Sequence, residues 1–144
     1  MKKSIVFGLV VFFAIIFNAQ SQSVLGKWKT VDDETGEAKS IVEVYEKGGK
    51  IYGKVVEILR AEHKKDVCSK CEGTDKNKPI LGMVIISGLK KEDAEYNGGT
   101  VLDPQNGKKY KCYITLESPD KLKLRGYIGL SIMGRTQYWT RVKN

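Results

Sequence analysis

A chain of 144 residues holds one domain of ordinary size, and the absence of a P-loop or dinucleotide fingerprint sets aside the common nucleotide-dependent enzymes. Lys and Arg number 25 against 17 Asp and Glu, a formal charge of +8, with the basic residues spread along the chain and acids among them. That pattern reads first as a solubilising surface, the alternative being affinity for anionic lipid headgroups or polysaccharide, and it points away from nucleic acid in a chain that carries an export signal.

The export signal comes first. Met1-Lys2-Lys3 is basic, residues 5–17 are apolar, and Asn18-Ala19-Gln20-Ser21 turns polar with small residues, the order of a secretory signal peptide. The apolar run is shorter than the about 20 residues a membrane-spanning helix needs, so no transmembrane span is expected after its removal. Cleavage after Ala19 removes residues 1–19, with Lys2 and Lys3 among them, lowers the charge from +8 to +6, and leaves a single domain over residues 20–144. The protein is therefore expected outside the cytoplasm, periplasmic or secreted.

Residues 25–32 read as a first strand, with Leu25, Lys27, Lys29 and Val31 on one face and Trp28 and Thr30 on the other. Asp33-Glu34-Thr35-Gly36 supplies a turn. Residues 40–46 and 51–59 are β-branched and aromatic, and Lys47-Gly48-Gly49-Lys50 between them predicts a tight hairpin. Residues 60–79 break the pattern as a long polar loop carrying Lys64-Lys65, Cys68-Ser69-Lys70-Cys71 and Lys76-Asn77-Lys78; a loop of this length is functional or pinned. Residues 80–89 form a bent strand, 90–95 an exposed connection, and Tyr96-Asn97-Gly98-Gly99 leads into a short strand at 100–102.

Asp103-Pro104-Gln105-Asn106-Gly107 is a strong turn signal. In residues 109–117 Tyr110, Cys112, Ile114 and Leu116 alternate with Lys109, Lys111, Tyr113, Thr115 and Glu117. Residues 121–127 and 135–142 supply the last strands, with glycines at 126, 129 and 134 where a closing sheet must curl. The count is eight or nine short strands and no amphipathic helix of ten residues. The expected fold is all-β: a small antiparallel up-and-down barrel. Gly26 and Trp28 at its start and Arg141 at its end form the expected closure, a guanidinium lying over an indole face for about 0.5–2 kcal/mol beyond burial.

In order along the chain, Gly26-x-Trp28-x-Thr30, Asp33-x-Thr35-Gly36, Cys68-x-x-Cys71, Gly82-Met83 and Gly98-Gly99-Thr100 are followed by Leu102-Asp103-Pro104-x-Asn106-Gly107-Lys108-x-Tyr110. Leu124-Arg125-Gly126-Tyr127-Ile128-Gly129 and Gly134-Arg135-Thr136-Gln137-x-Trp139-x-Arg141 close the series. Together they resemble the exported bacterial proteins grouped as domain of unknown function family 2147, over nearly all of residues 25–142. The resemblance implies a lipocalin-like, calycin-type barrel and brings no assigned activity, cofactor or catalytic residue with it.

Three cysteines leave one over if a bridge forms. The alternation that puts Cys112 on an apolar strand face leaves Cys68 and Cys71 as the expected disulfide, which by chain entropy stabilises so short a loop by only about 2 kcal/mol. A redox-active pair and a zinc site of His63, Cys68, Cys71 and Cys112 are the alternatives; the redox reading lacks the βαβ unit such pairs sit in. The lone histidine, His63, lies in a lysine-rich loop and reads as solvated. Asp32, Asp33, Glu34 and Asp103 sit beside turns, where Asp bonds its own backbone, and no G-x-S-x-G elbow is present.

Arg125 and Arg135 with Tyr127, Tyr138 and Trp139 have two readings. Either the arginines cap aromatics and pair with rim carboxylates, or one or two point inward and hold the acid group of an amphiphilic ligand. The sequence thus points to a non-enzymatic, envelope-located barrel without cofactor or metal that binds a small apolar or amphiphilic ligand. The alternative is a structural or protein-interaction module with a filled core and an envelope partner on the loop at residues 60–79.

Overall fold

The computed structural model describes residues 23–130 and 133–143, with Gly8 and Val11 apart from them. The expected signal peptide over residues 1–19 lies outside the described residues but for those two. Eight strands run in order: β1 (Gly26–Val31), β2 (Ala38–Lys47), β3 (Lys50–Ile58), β4 (Val84–Glu92), β5 (Glu95–Asp103), β6 (Lys108–Ser118), β7 (Lys121–Tyr127) and β8 (Gly134–Arg141). Each pairs antiparallel with its neighbours and β8 returns to β1, so the sheet is a closed up-and-down barrel. Two short 3₁₀ turns, at Ala61–His63 and Gly73–Asp75, lie in the β3–β4 connection.

This connectivity makes the two ends unlike. The β1–β2, β3–β4, β5–β6 and β7–β8 connections all lie at one end, and the three tight hairpins lie at the other beside the start of β1 and the end of β8. Period-2 alternation turns Trp28, Val42, Val44, Leu89, Ile114 and Leu122 inward, where they are fully buried and fill the hairpin end.

The closing seam is short. β1 and β8 meet in only two register pairs, Trp28 with Arg141 and Lys29 with Thr140. Arg141 reinforces it: its guanidinium lies 4.3 Å from the Trp28 ring, with Nε donating to Pro119 O (2.8 Å), Nη1 to Leu25 O (2.9 Å) and Nη2 to Ser23 O (2.6 Å). A side-chain carbon at Gly26 would sit 2.8 Å from Nη1, so glycine is what leaves the guanidinium room. Trp28 in turn donates through Nε1 to Val24 O at 2.9 Å.

Two stretches differ from the sequence reading. β5 begins at Glu95, not at residue 100, because Gly98-Gly99 is a bulge within the strand and not a turn before it. A Cβ at Gly99 would stand 2.1 Å from Ser87 O, so the glycine permits close backbone approach to β4. β4 correspondingly begins at Val84 and runs to Glu92, and residues 90–95 are two strand ends around a tight turn at Asp93, whose φ is 55°. Residues 80–83 belong to the long connection, fastened to β3 by Gly82 N donating to Val55 O (2.7 Å) and Val55 N to Met83 O (2.9 Å).

Candidate functional site

The loop end is open. A cavity of about 1100 Å³ enters the barrel there, its apolar wall made by Val55, Ile58, Ile85, Val101, Leu124 and Trp139. Its mouth is charged and ordered by two sets of contacts. In the first, Asp32 caps its own turn, with Oδ1 accepting from Glu34 N (2.9 Å) and Thr35 N (3.1 Å), while Oδ2 accepts from Arg60 Nη2 at 3.0 Å. The Arg60 guanidinium, ahead of the two turn amides, holds the Asp32 carboxyl down at about 2. Arg60 Nε is buried 3.7 Å from Glu37 Oε2 and makes no hydrogen bond among the described residues.

The second set climbs the inner face of β8, where residues two apart share a face. Trp139 Nε1 donates to Gln137 Oε1 (3.0 Å), and Gln137 Nε2 donates to Asp33 Oδ1 (2.9 Å). The other Asp33 oxygen pairs with Arg135 Nε at 2.9 Å, and Arg135 Nη2 reaches Asp103 Oδ2 at 3.5 Å. One polar chain thus links the buried indole to the rim across β8 and the β1–β2 and β5–β6 turns. His63 stands at the mouth, half exposed, with Nδ1 bonded to Asp66 Oδ2 at 2.7 Å.

Of the residues expected to touch a ligand, Tyr127, Arg135 and Trp139 line the cavity, and Arg125 and Tyr138 do not. Alternation accounts for Arg125: Leu122 and Leu124 inward put it on the outer wall, where it donates to Thr136 Oγ1 at 2.7 Å, whereas Tyr127, of the same parity, lines the cavity as the last residue of β7. Trp139 inward puts Tyr138 outside, beneath Lys121 Nζ at 4.5 Å. Arg60, Gln137 and Val101 were missed. For Gln137 the signal was present, since Arg135, Gln137 and Trp139 stand at i, i+2 and i+4.

Cys68 and Cys71 form a disulfide and are buried. The β3–β4 connection around them is pinned by the Val67–Pro79 bridge and by Cys68 N to Lys78 O and Asn77 N to Cys68 O, both 2.8 Å. It docks on the β5–β6 turn so closely that a Cβ at Gly107, whose φ is +72°, would stand 1.9 Å from Lys70 O. Cys112 is buried inside the barrel as a free thiol, pushed up to about 12 by burial. Among the described residues no group of three His, Cys, Asp or Glu side chains is placed to hold a metal ion, and no helix is long and apolar enough to cross a membrane.

A closed eight-stranded antiparallel barrel with one filled end and one open, cavity-bearing end defines a lipocalin-like protein. The structure of protein HP1028 from the human pathogen Helicobacter pylori, described as belonging to the lipocalin family, is similar to it: TM-score 0.75, 23% identity, covering 85% of this chain and 84% of that one. Residues 26–141 match the family described as "Uncharacterized protein conserved in bacteria (DUF2147)", and the chain belongs to that family. Among curated proteins no relative matches.

Proposed function

We propose that the barrel is a non-enzymatic binder of one small apolar or amphiphilic molecule outside the cytoplasm. The observation that carries this is the cavity of about 1100 Å³, apolar within and open at the loop end. That is slightly above the about 300–1,000 Å³ typical of small-molecule sites. The apolar part of the ligand lies against Trp139, Leu124 and Val101, and its polar part at the rim beside Tyr127 and Arg135.

The rim argues for a head that is not an acid. Asp32, Asp33, Glu34, Asp66 and Asp103 line the mouth against Lys39, Arg60 and Arg135, and both arginines already face carboxylates. A bare anion meets an acidic surround there, whereas a hydroxyl, ester or amide oxygen suits the unbonded Arg60 Nε. The Cys68–Cys71 disulfide supports an oxidising compartment, in line with the expected signal peptide.

The test is titration with the neutral probe N-phenyl-1-naphthylamine and, separately, a long-chain fatty acid, on the wild type and on Val101→Trp, which fills the cavity. Binding of the neutral probe, lost by at least tenfold in Val101→Trp and tighter than that of the acid, supports the reading. No binding by a folded barrel overturns it in favour of a structural or protein-interaction module. That second reading rests on the rigidly pinned β3–β4 connection. It predicts that charge reversal at Lys64, Lys65, Lys76 and Lys78 abolishes capture of an envelope partner.

A further inference from the structure

The charge of the barrel is segregated. Strands β2 to β5 carry six lysines against six acids, while β6, β7, β8 and β1 carry ten Lys or Arg against one acid, Glu117. Arg135 and Arg141 serve the two ends of the barrel, and the side chains of Lys111, Lys121, Lys123 and Arg125 stand on the outer wall with Lys27 and Lys29. Among the described residues Lys111, Lys121 and Lys123 make no ion pair, and Lys109 makes one, at 3.8 Å to Asp75.

Tyrosines interleave with these cations. Across the ladders Lys111 faces Tyr127, Tyr113 faces Arg125, and Lys123 faces Tyr138. Lys121 Nζ lies 4.5 Å from the Tyr138 ring centre and Lys123 Nζ 5.8 Å from that of Tyr113. At the top of the wall, where β7 leaves the sheet beside the cavity mouth, Ile128, Leu130 and Met133 are 65%, 71% and 71% exposed. Ile128 N donating to Met133 O (3.4 Å) and Met133 N to Leu130 O (3.0 Å) hold these three side chains at one turn.

We infer that the β6–β7–β8–β1 wall and the β7–β8 turn together dock on an anionic lipid surface. Lysines next to a bilayer are drawn to its acidic headgroups, and tyrosine suits the boundary between water and hydrocarbon. The exposed apolar turn decides among polyanions. An acidic polysaccharide or a nucleic acid gives Ile128, Leu130 and Met133 nothing to bury against, whereas a bilayer does. Docked in this way, the turn enters the lipid at the rim of the cavity. The inference needs no ligand in the cavity and stands or falls apart from the binding reading.

The experiment is co-sedimentation of the chain from Gln20 onward, which contains every strand of the closed barrel, with vesicles of phosphatidylcholine alone or with one-third phosphatidylglycerol. Binding is expected to the anionic vesicles only and to weaken as salt rises. Lys111→Glu with Lys123→Glu lowers the partition coefficient by more than about tenfold, since each neutralised lysine alone counts for about fivefold. Ile128→Asp with Leu130→Asp lowers it in low salt as well, and Lys50→Glu with Lys54→Glu on the opposite wall leaves it within about threefold. Thermal unfolding verifies that each variant is folded. Absence of binding to anionic vesicles by the folded wild type overturns the inference, as does equal loss from the two walls. Tighter binding to heparin or single-stranded DNA than to vesicles, indifferent to Ile128 and Leu130, overturns it in favour of a polyanion chain.

Discussion

The guanidinium of Arg141 lies 4.3 Å from the ring of Trp28, and the same group donates to three carbonyls from two other segments, Ser23, Leu25 and Pro119. The side chain therefore closes a seam that has two register pairs of its own. Arg141→Ala is expected to lower unfolding free energy by about 2–3 kcal/mol, combining the cation–π contact with charge-assisted bonds. Arg141→Lys recovers only part of that, because an ammonium cannot reach three carbonyls in a plane. Urea unfolding followed by tryptophan fluorescence measures both, and a loss below about 0.5 kcal/mol in Arg141→Ala leaves the clamp without energetic weight.

Gly107 and Gly36 share a φ of +72° and differ in their surroundings. Nothing lies within 4 Å of a Cβ built at Gly36, so Gly36→Ala is expected to cost only the left-handed backbone, about 1 kcal/mol. A Cβ at Gly107 collides with the backbone at Lys70 and Cys71, which the disulfide holds in place. Gly107→Ala is expected to cost about 3 kcal/mol or more and to raise hydrogen exchange across the β3–β4 connection. Equal stabilities of the two variants refute the docking.

The strands were legible where inward residues are apolar and outward ones polar at a period of two, as in β6. The start of β5 was not, because Asn97-Gly98-Gly99 has the composition of a turn and only the partner strand reveals why glycine is there. The same limit governs the mouth. Asp33 and Gln137 stand 104 positions apart, and Asp32 and Arg60 28, so nothing local joins them. What the sequence did contain was the parity of β7 and β8. Applied there as it was to β6, alternation separates Arg125 and Tyr138 from Arg135, Gln137 and Trp139 without any coordinates.

Asp32 has its carboxyl lowered from 3.8 to about 2 by the bond from Arg60, with the Thr35 and Glu34 amides adding to it. A carboxylate depressed in the folded state contributes stability that is present above the unfolded value and lost as pH falls through the folded one. The stability of the wild type relative to Asp32→Asn is therefore expected to be constant from neutrality down to about pH 4 and to shrink between pH 4 and pH 2. Urea midpoints of the two proteins at pH 7, 4, 3 and 2 read this directly. A difference that stays constant to pH 2 removes Asp32 from the acid response of the mouth.

Cys112 shares a fully buried interior with Ile114 and Leu122, and desolvation pushes its thiol up to about 12. Only the thiolate alkylates, so the native protein at pH 8 is expected to be inert to iodoacetamide. In denaturant without reductant one cysteine is labelled, and with reductant all three are, because Cys68 and Cys71 are bridged. Intact mass reads the three states as zero, one and three additions. The linkage runs the other way from that of Asp32: an acid whose value is raised in the folded state loses its contribution as pH climbs from the unfolded value toward about 12. Cys112→Ala is accordingly expected to unfold more easily than wild type at pH 8 through its lost packing, with the gap narrowing by pH 10. Labelling of the native chain at pH 8 places the thiol outside the closed interior and refutes both expectations.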